Sequence, residues 1–113
     1  MIKDKWGRII HVSSTNSAIG AGAYSSSKSG LEGLSTALSR EYARYSITSN
    51  IIKLGVFNTG MFHALSEKNK KAFLNRIPSK KLGKTSNITN AISFLINSEF
   101  VNGASITIDG GAS

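Results

Sequence analysis

The sequence contains no cysteine, which excludes disulfide scaffolds and thiolate metal sites and is compatible with a cytoplasmic protein. Its two histidines, His11 and His63, stand far apart, and no carboxylates cluster near either. A metal centre is therefore not expected. No apolar run approaches ~18 residues, so no membrane-spanning helix is expected. The opening Met1-Ile2-Lys3-Asp4-Lys5-Trp6-Gly7 has no apolar core of a secretion signal either. Proline occurs once, at Pro78, so the chain has few rigid breaks. Acidic residues are scarce: six against fourteen basic ones, for a net charge of +8.

Seven of those basic residues fall between Lys68 and Lys84. A nucleic-acid interface would need stacking aromatics in the patch, and only Phe73 lies inside it. The expectation is a solvated segment and no nucleic-acid partner, with attraction to an acidic ligand or acidic carrier protein as the functional alternative.

What remains is 113 residues of ordinary apolar content, enough for one domain with a modest core. Gly7-Arg8-Ile9-Ile10-His11-Val12-Ser13 is a short apolar run bounded by Gly and Ser, and reads as a buried parallel strand. Ser14 to Gly22 is a loop by composition. A helical period follows from Tyr24 to about Arg44, with Leu31, Leu34, Leu38 and Tyr42 as its apolar stripe. Gly30 and Gly33 weaken that helix, which suggests close approach of a partner helix or a cofactor. Ile47 to Ile52 is a second strand, broken at Lys53-Leu54-Gly55. Met61 to Leu74 reads as a helix that Pro78 closes. Ser86 or Asn87 caps a further helix through Asn97, with Ile88, Ala91, Ile92 and Leu95 on its buried side. Asn102-Gly103 turns the chain into the strand Ala104–Ile108, which ends at the turn Asp109-Gly110-Gly111.

Strand, helix, strand, helix, strand is the order of an α/β protein with an open, doubly wound parallel sheet. Ligands bind such sheets beyond the carboxyl ends of the strands. Ser13-Ser14, Gly55 to Thr59, Asp109-Gly110 and the start of the Tyr24 helix all gather at that edge. Tyr24 and Lys28 lie four residues apart and share a helix face. A phenol beside an ammonium, with serines nearby, is the material of an acid–base site. A free phenol titrates near ~10, and a close fixed cation lowers that value.

These residues fall into four blocks that resemble the C-terminal half of a classical short-chain dehydrogenase/reductase. They are Gly7-Arg8-Ile9-Ile10-His11-Val12-Ser13-Ser14, Tyr24-x-x-x-Lys28-Ser29-Gly30, Asn50-x-x-x-Leu54-Gly55-x-x-x-Thr59 and Gly103-x-x-Ile106-x-Ile108-Asp109-Gly110-Gly111. The likeness runs from Lys5 to Ala112 and is nearest in look to 3-oxoacyl-[acyl-carrier-protein] reductases. It implies the C-terminal half of a Rossmann-like sheet and interconversion of an alcohol and a carbonyl with NAD or NADP, on a 3-oxoacyl-thioester or a sugar-type substrate. Ser14 would bind the substrate oxygen, with Ser13 as the alternative. Tyr24 would act as general acid or base, and Lys28 would hold the nicotinamide ribose and lower the phenol's pKa. Gly55, Phe57 and Thr59 would meet the nicotinamide, and residues 61–84 would form the substrate lid.

The resemblance also implies a small carbonyl or alcohol substrate, or an acyl carrier protein met by Lys5, Arg8 and Arg44, and a homo-oligomer built through the Tyr24–Arg44 helix. Two departures stand out. Ser14 and Tyr24 are closer in sequence than is usual, with the shortening between Gly20 and Tyr24, and the family's Pro-Gly is Leu54-Gly55 here. The family's glycine-rich phosphate turn has no counterpart, since Gly20-Ala21-Gly22 is too short to supply it. The expectation is a truncated chain with one strand edge uncovered and no saturable NAD(P)H binding by itself. The alternative to an enzyme half is an inactive remnant that serves as an association module.

Overall fold

The computed structural model describes residues 1–15 and 21–112, and the side chains of all these except 21–28 and 61. Among the described residues three parallel strands, β1 (Gly7–Ser14), β2 (Ile47–Leu54) and β3 (Ser105–Ile108), form one sheet in the order β1-β2-β3. Helix α1 (Ala21–Glu41) connects β1 to β2. Helices α2 (Gly60–His63), α3 (Glu67–Arg76) and α4 (Thr85–Asn97) lie between β2 and β3. This is the expected half of a Rossmann-like sheet.

β2 is the centre, with every residue from Ile47 to Ile52 buried. Its amino-terminal half carries the polar residues Thr48, Ser49 and Asn50, and directional bonds compensate the burial of the last two. Asn50 Nδ2 donates to the Val101 carbonyl (3.0 Å), and its Oδ1 accepts from the Ala104 N–H (2.9 Å). Asn102 Oδ1 accepts from the Ser49 N–H (2.9 Å), while its Nδ2 donates to the Ser39 carbonyl (2.7 Å). Gly103 completes the turn at φ +77°, a left-handed conformation that suits glycine, and donates to the Ser49 carbonyl.

The leucine stripe expected on α1 is only partly the packed face. Leu31 and Leu38 are half-buried, Leu34 is 50% exposed, and Ser35 and Ser39 are the buried residues. Small hydroxyl side chains let the helix approach the strand, and Ser35 Oγ lies 3.0 Å from Ser49 Oγ. No neighbour of this chain comes within 4 Å of a Cβ at Gly30 or Gly33, so the close approach inferred there is not made by the described residues.

Other boundaries shift for local reasons. α1 stops at Glu41, and a 3₁₀ turn, Ala43–Tyr45, carries the chain on to β2. β2 runs through Leu54, past the break read at Lys53, because β3 pairs with it up to Leu54. The single helix read over 61–74 is two. Ser66 is extended and its hydroxyl caps α3 at the Asn69 N–H, which restarts the helix there. Ile77, held extended before Pro78, ends α3. α4 begins at Thr85; Asn87 still caps it, from inside the first turn, by accepting the Lys84 N–H (2.9 Å).

The radius of gyration is 16.0 Å, against about 13 Å for a compact domain of this length. The excess fits a slab whose β1 edge has no covering strand among the described residues. Ile9 and Ile10 there are half-buried and Val12 is 60% exposed. No helix among the described residues is long and apolar enough to cross a membrane.

Candidate active site

The carboxyl ends of the strands are tied together by backbone bonds. Thr15 N–H donates to the Leu54 carbonyl (2.9 Å) and Gly55 N–H to the Ile108 carbonyl (2.9 Å). Beyond this edge opens a cavity of about 330 Å³. Ser14, Gly55, Phe57 and Thr59 line it, so four of the six residues singled out from the sequence surround one space. The other two, Tyr24 and Lys28, belong to the first two turns of α1. α1 runs back from the end of β1 to the start of β2, so those turns are at the same edge. The side chains of Tyr24 and Lys28, and the Gly20 spacing, lie outside the described residues.

Gly55 is fixed by crowding as well as by position. A Cβ there would stand 2.6 Å from Asp109 Cβ and 2.8 Å from its Cα, so only glycine lets the loop pass the end of β3. Phe57 is buried, and its segment pairs with Gly83: the Gly83 N–H donates to the Val56 carbonyl and the Asn58 N–H to the Gly83 carbonyl. The Phe57 carbonyl accepts from the Thr59 N–H. Thr59 opens α2 without using its hydroxyl as a cap. The far wall of the cavity is apolar, made by Phe62, Leu65, Phe73 and Ile88.

Residues 61–84 therefore contribute most of the apolar wall. α3 has no buried residue of its own, and buried Phe62 and Ile77 anchor its flanks. The basic stretch is solvated as expected: Lys68, Lys71, Arg76, Lys80, Lys81 and Lys84 are exposed. His63 is exposed and bonded to Asn58 Oδ1, and His11 Nε2 lies 3.2 Å from Ser49 Oγ. Among the described residues no group of three or more metal-ligating side chains occurs. Lys5, Arg8 and Arg44 stand at the amino ends of the strands, on the edge opposite the cavity. Arg8 stacks on Trp6 (4.9 Å to the ring centroid) and donates from Nε to the Ile96 carbonyl (2.9 Å).

One pair at this edge escaped the sequence reading. Lys53 Nζ lies 2.7 Å from Glu32 Oε1, joining β2 to α1 just before the cavity. In the sequence Lys53 reads as the first residue of the break Lys53-Leu54-Gly55. Pairing of Lys53 with Thr107 of β3 places it in the sheet instead.

A family model described as enoyl-(acyl carrier protein) reductase matches residues 1–113. The chain belongs to the short-chain dehydrogenase/reductase family. It is 38% identical to the 3-oxoacyl-[acyl-carrier-protein] reductase FabG of Pseudomonas aeruginosa, covering 98% of this chain and 47% of that protein. The corresponding Escherichia coli reductase is 35% identical, with 98% of this chain and 48% of that protein covered. The (2S)-[(R)-hydroxy(phenyl)methyl]succinyl-CoA dehydrogenase subunit BbsD of Thauera aromatica is 38% identical, with 100% and 47% covered. The chain thus spans about half the length of the curated relatives it matches.

Proposed function

We propose that this chain is the acid–base half of an NAD- or NADP-dependent oxidoreductase that interconverts an alcohol and a ketone, with a 3-oxoacyl thioester as the favoured substrate class. The observation that carries this reading is the meeting of Ser14, Gly55, Phe57 and Thr59 around one cavity at the edge where the Tyr24–Lys28 turns of α1 begin. The residues fit a nicotinamide. The cavity offers Leu54 and Ile88 as apolar surface for a flat ring, and the Thr59 hydroxyl for its carboxamide.

In the reduction, the Ser14 hydroxyl donates a hydrogen bond to the substrate carbonyl oxygen. Tyr24 then delivers its proton to that oxygen, and takes it back in the oxidation. The Lys28 ammonium favours the phenolate and binds the ribose hydroxyls. The Gly55–Phe57 backbone and the Thr59 hydroxyl receive the carboxamide. When bound, the nicotinamide supplies or accepts the hydride at the carbonyl carbon. Phe62, Leu65 and Phe73 take the acyl portion, and the solvated lysines of α3 suit an acidic carrier protein.

The test is to join the nucleotide-binding half of the Pseudomonas aeruginosa reductase in front of Met1 and measure NADPH and NADH oxidation with 3-oxoacyl thioesters and simple ketones. Saturable turnover with thioesters is expected. A joined chain that folds and binds the dinucleotide but reduces no carbonyl would overturn the proposal.

A second reading has its own observation. Gly30, Gly33 and half-exposed Leu34 leave one side of α1 open, which suits packing of a second copy helix against helix. Light scattering after size exclusion should find an oligomer that Leu34→Asp dissociates. A monomeric wild-type chain would exclude this reading.

A further inference from the structure

The geometry points to Asn102-Gly103 as a modification site, where the folded turn holds off spontaneous deamidation and the deamidated product no longer fits the turn.

Asn102-Gly103 is the one Asn-Gly pair in the sequence. Glycine has no side chain to shield its backbone nitrogen, and that nitrogen can attack Asn102 Cγ. A bond forms between Gly103 N and Cγ, and the Cγ–Nδ2 bond breaks. Solvent carries the Gly103 N–H proton to Nδ2, which leaves as ammonia. Water then opens either C–N bond of the five-membered imide, leaving an aspartate or an isoaspartate. Water is the sole co-reactant, and both residues are exposed to it.

The folded turn engages each atom that must react. The Gly103 N–H donates to the Ser49 carbonyl (2.8 Å). Asn102 Oδ1 accepts from the Ser49 N–H (2.9 Å), and Nδ2 donates to the Ser39 carbonyl (2.7 Å). Ser49 is fully buried at the centre of the sheet, so this anchor does not swing with the turn. Attack needs all three bonds released together, and it therefore proceeds through a local opening of the turn. Either product spoils the turn. An ionised aspartate has no donor for the Ser39 carbonyl and sets an acceptor against it. An isoaspartate lengthens the main chain by one carbon just before Gly103, whose φ is +77°. That displaces the next residue, Ala104, whose N–H bonds Asn50 Oδ1. Both products loosen α1 and the turn from β2, so the chain keeps a covalent record of having opened.

The test follows the full chain and a synthetic peptide spanning Ser98 to Ile106 side by side in mildly alkaline buffer. Conversion is scored by the amide-to-acid mass gain at Asn102 and by isoaspartyl methyl transfer. The full chain should convert about a hundredfold more slowly than the peptide, the protection expected of a turn that opens only with its strand. Conversion within about threefold of the peptide would overturn the inference, because the turn would then offer no protection. Asn102→Asp should lower the urea midpoint or prevent folding, while Asn90→Asp, at an exposed position of α4, should leave the midpoint in place. An Asn102→Asp chain as stable as wild type, or equal losses from the two variants, would also overturn it.

Discussion

The two ends of β2 are built from different materials. Toward its amino end, Ser49 and Asn50 are fully buried and held by five short polar contacts, from His11, Ser35, Val101, Asn102 and Ala104. Toward its carboxyl end, Leu54 and Gly55 border a cavity with phenyl and alkyl walls, and the nearest bond between side chains is the Lys53–Glu32 pair. Directional bonds specify one arrangement of α1, β2 and the turn before β3, because each has a narrow range of distance and angle. Apolar walls specify volume more than geometry. The scaffold is thus fixed at one end of the strand, and the space for a substrate is left at the other.

Substitutions at the two ends should therefore fail differently. The largest stability effect is expected at the polar end. Asn50→Ala leaves the Ala104 N–H and the Val101 carbonyl without their partner in a buried place, a loss of about 3 kcal/mol, read as a lowered urea midpoint. A loss under 1 kcal/mol would mean that the two ends are alike. Next comes Gly55→Ala, which forces a Cβ to 2.6 Å from Asp109 Cβ. Overpacking against backbone of this kind costs about 2 kcal/mol, and it should also weaken dinucleotide binding in the joined enzyme. Asn50→Ala should leave that binding intact in the molecules that fold.

The smallest change has the opposite sign. Thr48 is 4% exposed, and its hydroxyl is the one buried side-chain polar atom among the described residues with no hydrogen-bond partner. Thr48→Val removes that unpaired group at constant shape and should stabilise the chain by about 1 kcal/mol. A destabilised Thr48→Val chain would show that even this residue takes part in the polar end.

The apolar half of this architecture could be read from the residues in order. Arg8–Ser13 and Ile47–Ile52 announce themselves as strands, and Asn102-Gly103 and Asp109-Gly110-Gly111 as the turns around β3. The gathering of Ser14, Gly55, Phe57 and Thr59 at one edge follows from topology alone. The polar half was not legible. Ser35, Ser39, Ser49 and Asn50 look like surface residues in a sequence, because only three-dimensional pairing reveals the bonds that compensate their burial. Leu34 misleads in the other direction, as an apolar residue left half exposed. Lys53 and Glu32 are twenty-one positions apart, so no local pattern links them. The division of 61–74 into two helices turns on a single capping hydroxyl, at Ser66.

The central claim is that this half of the fold carries the proton-transfer chemistry at the carboxyl edge of β2. It is tested most directly by the turnover of the joined enzyme with a 3-oxoacyl thioester before and after Tyr24→Phe. Loss of the proton donor with the fold intact should lower turnover by about a thousandfold at unchanged dinucleotide affinity. A Tyr24→Phe enzyme that keeps turnover within about threefold of wild type would contradict the claim, because a change worth that much less than a proton-transfer step means the proton comes from elsewhere.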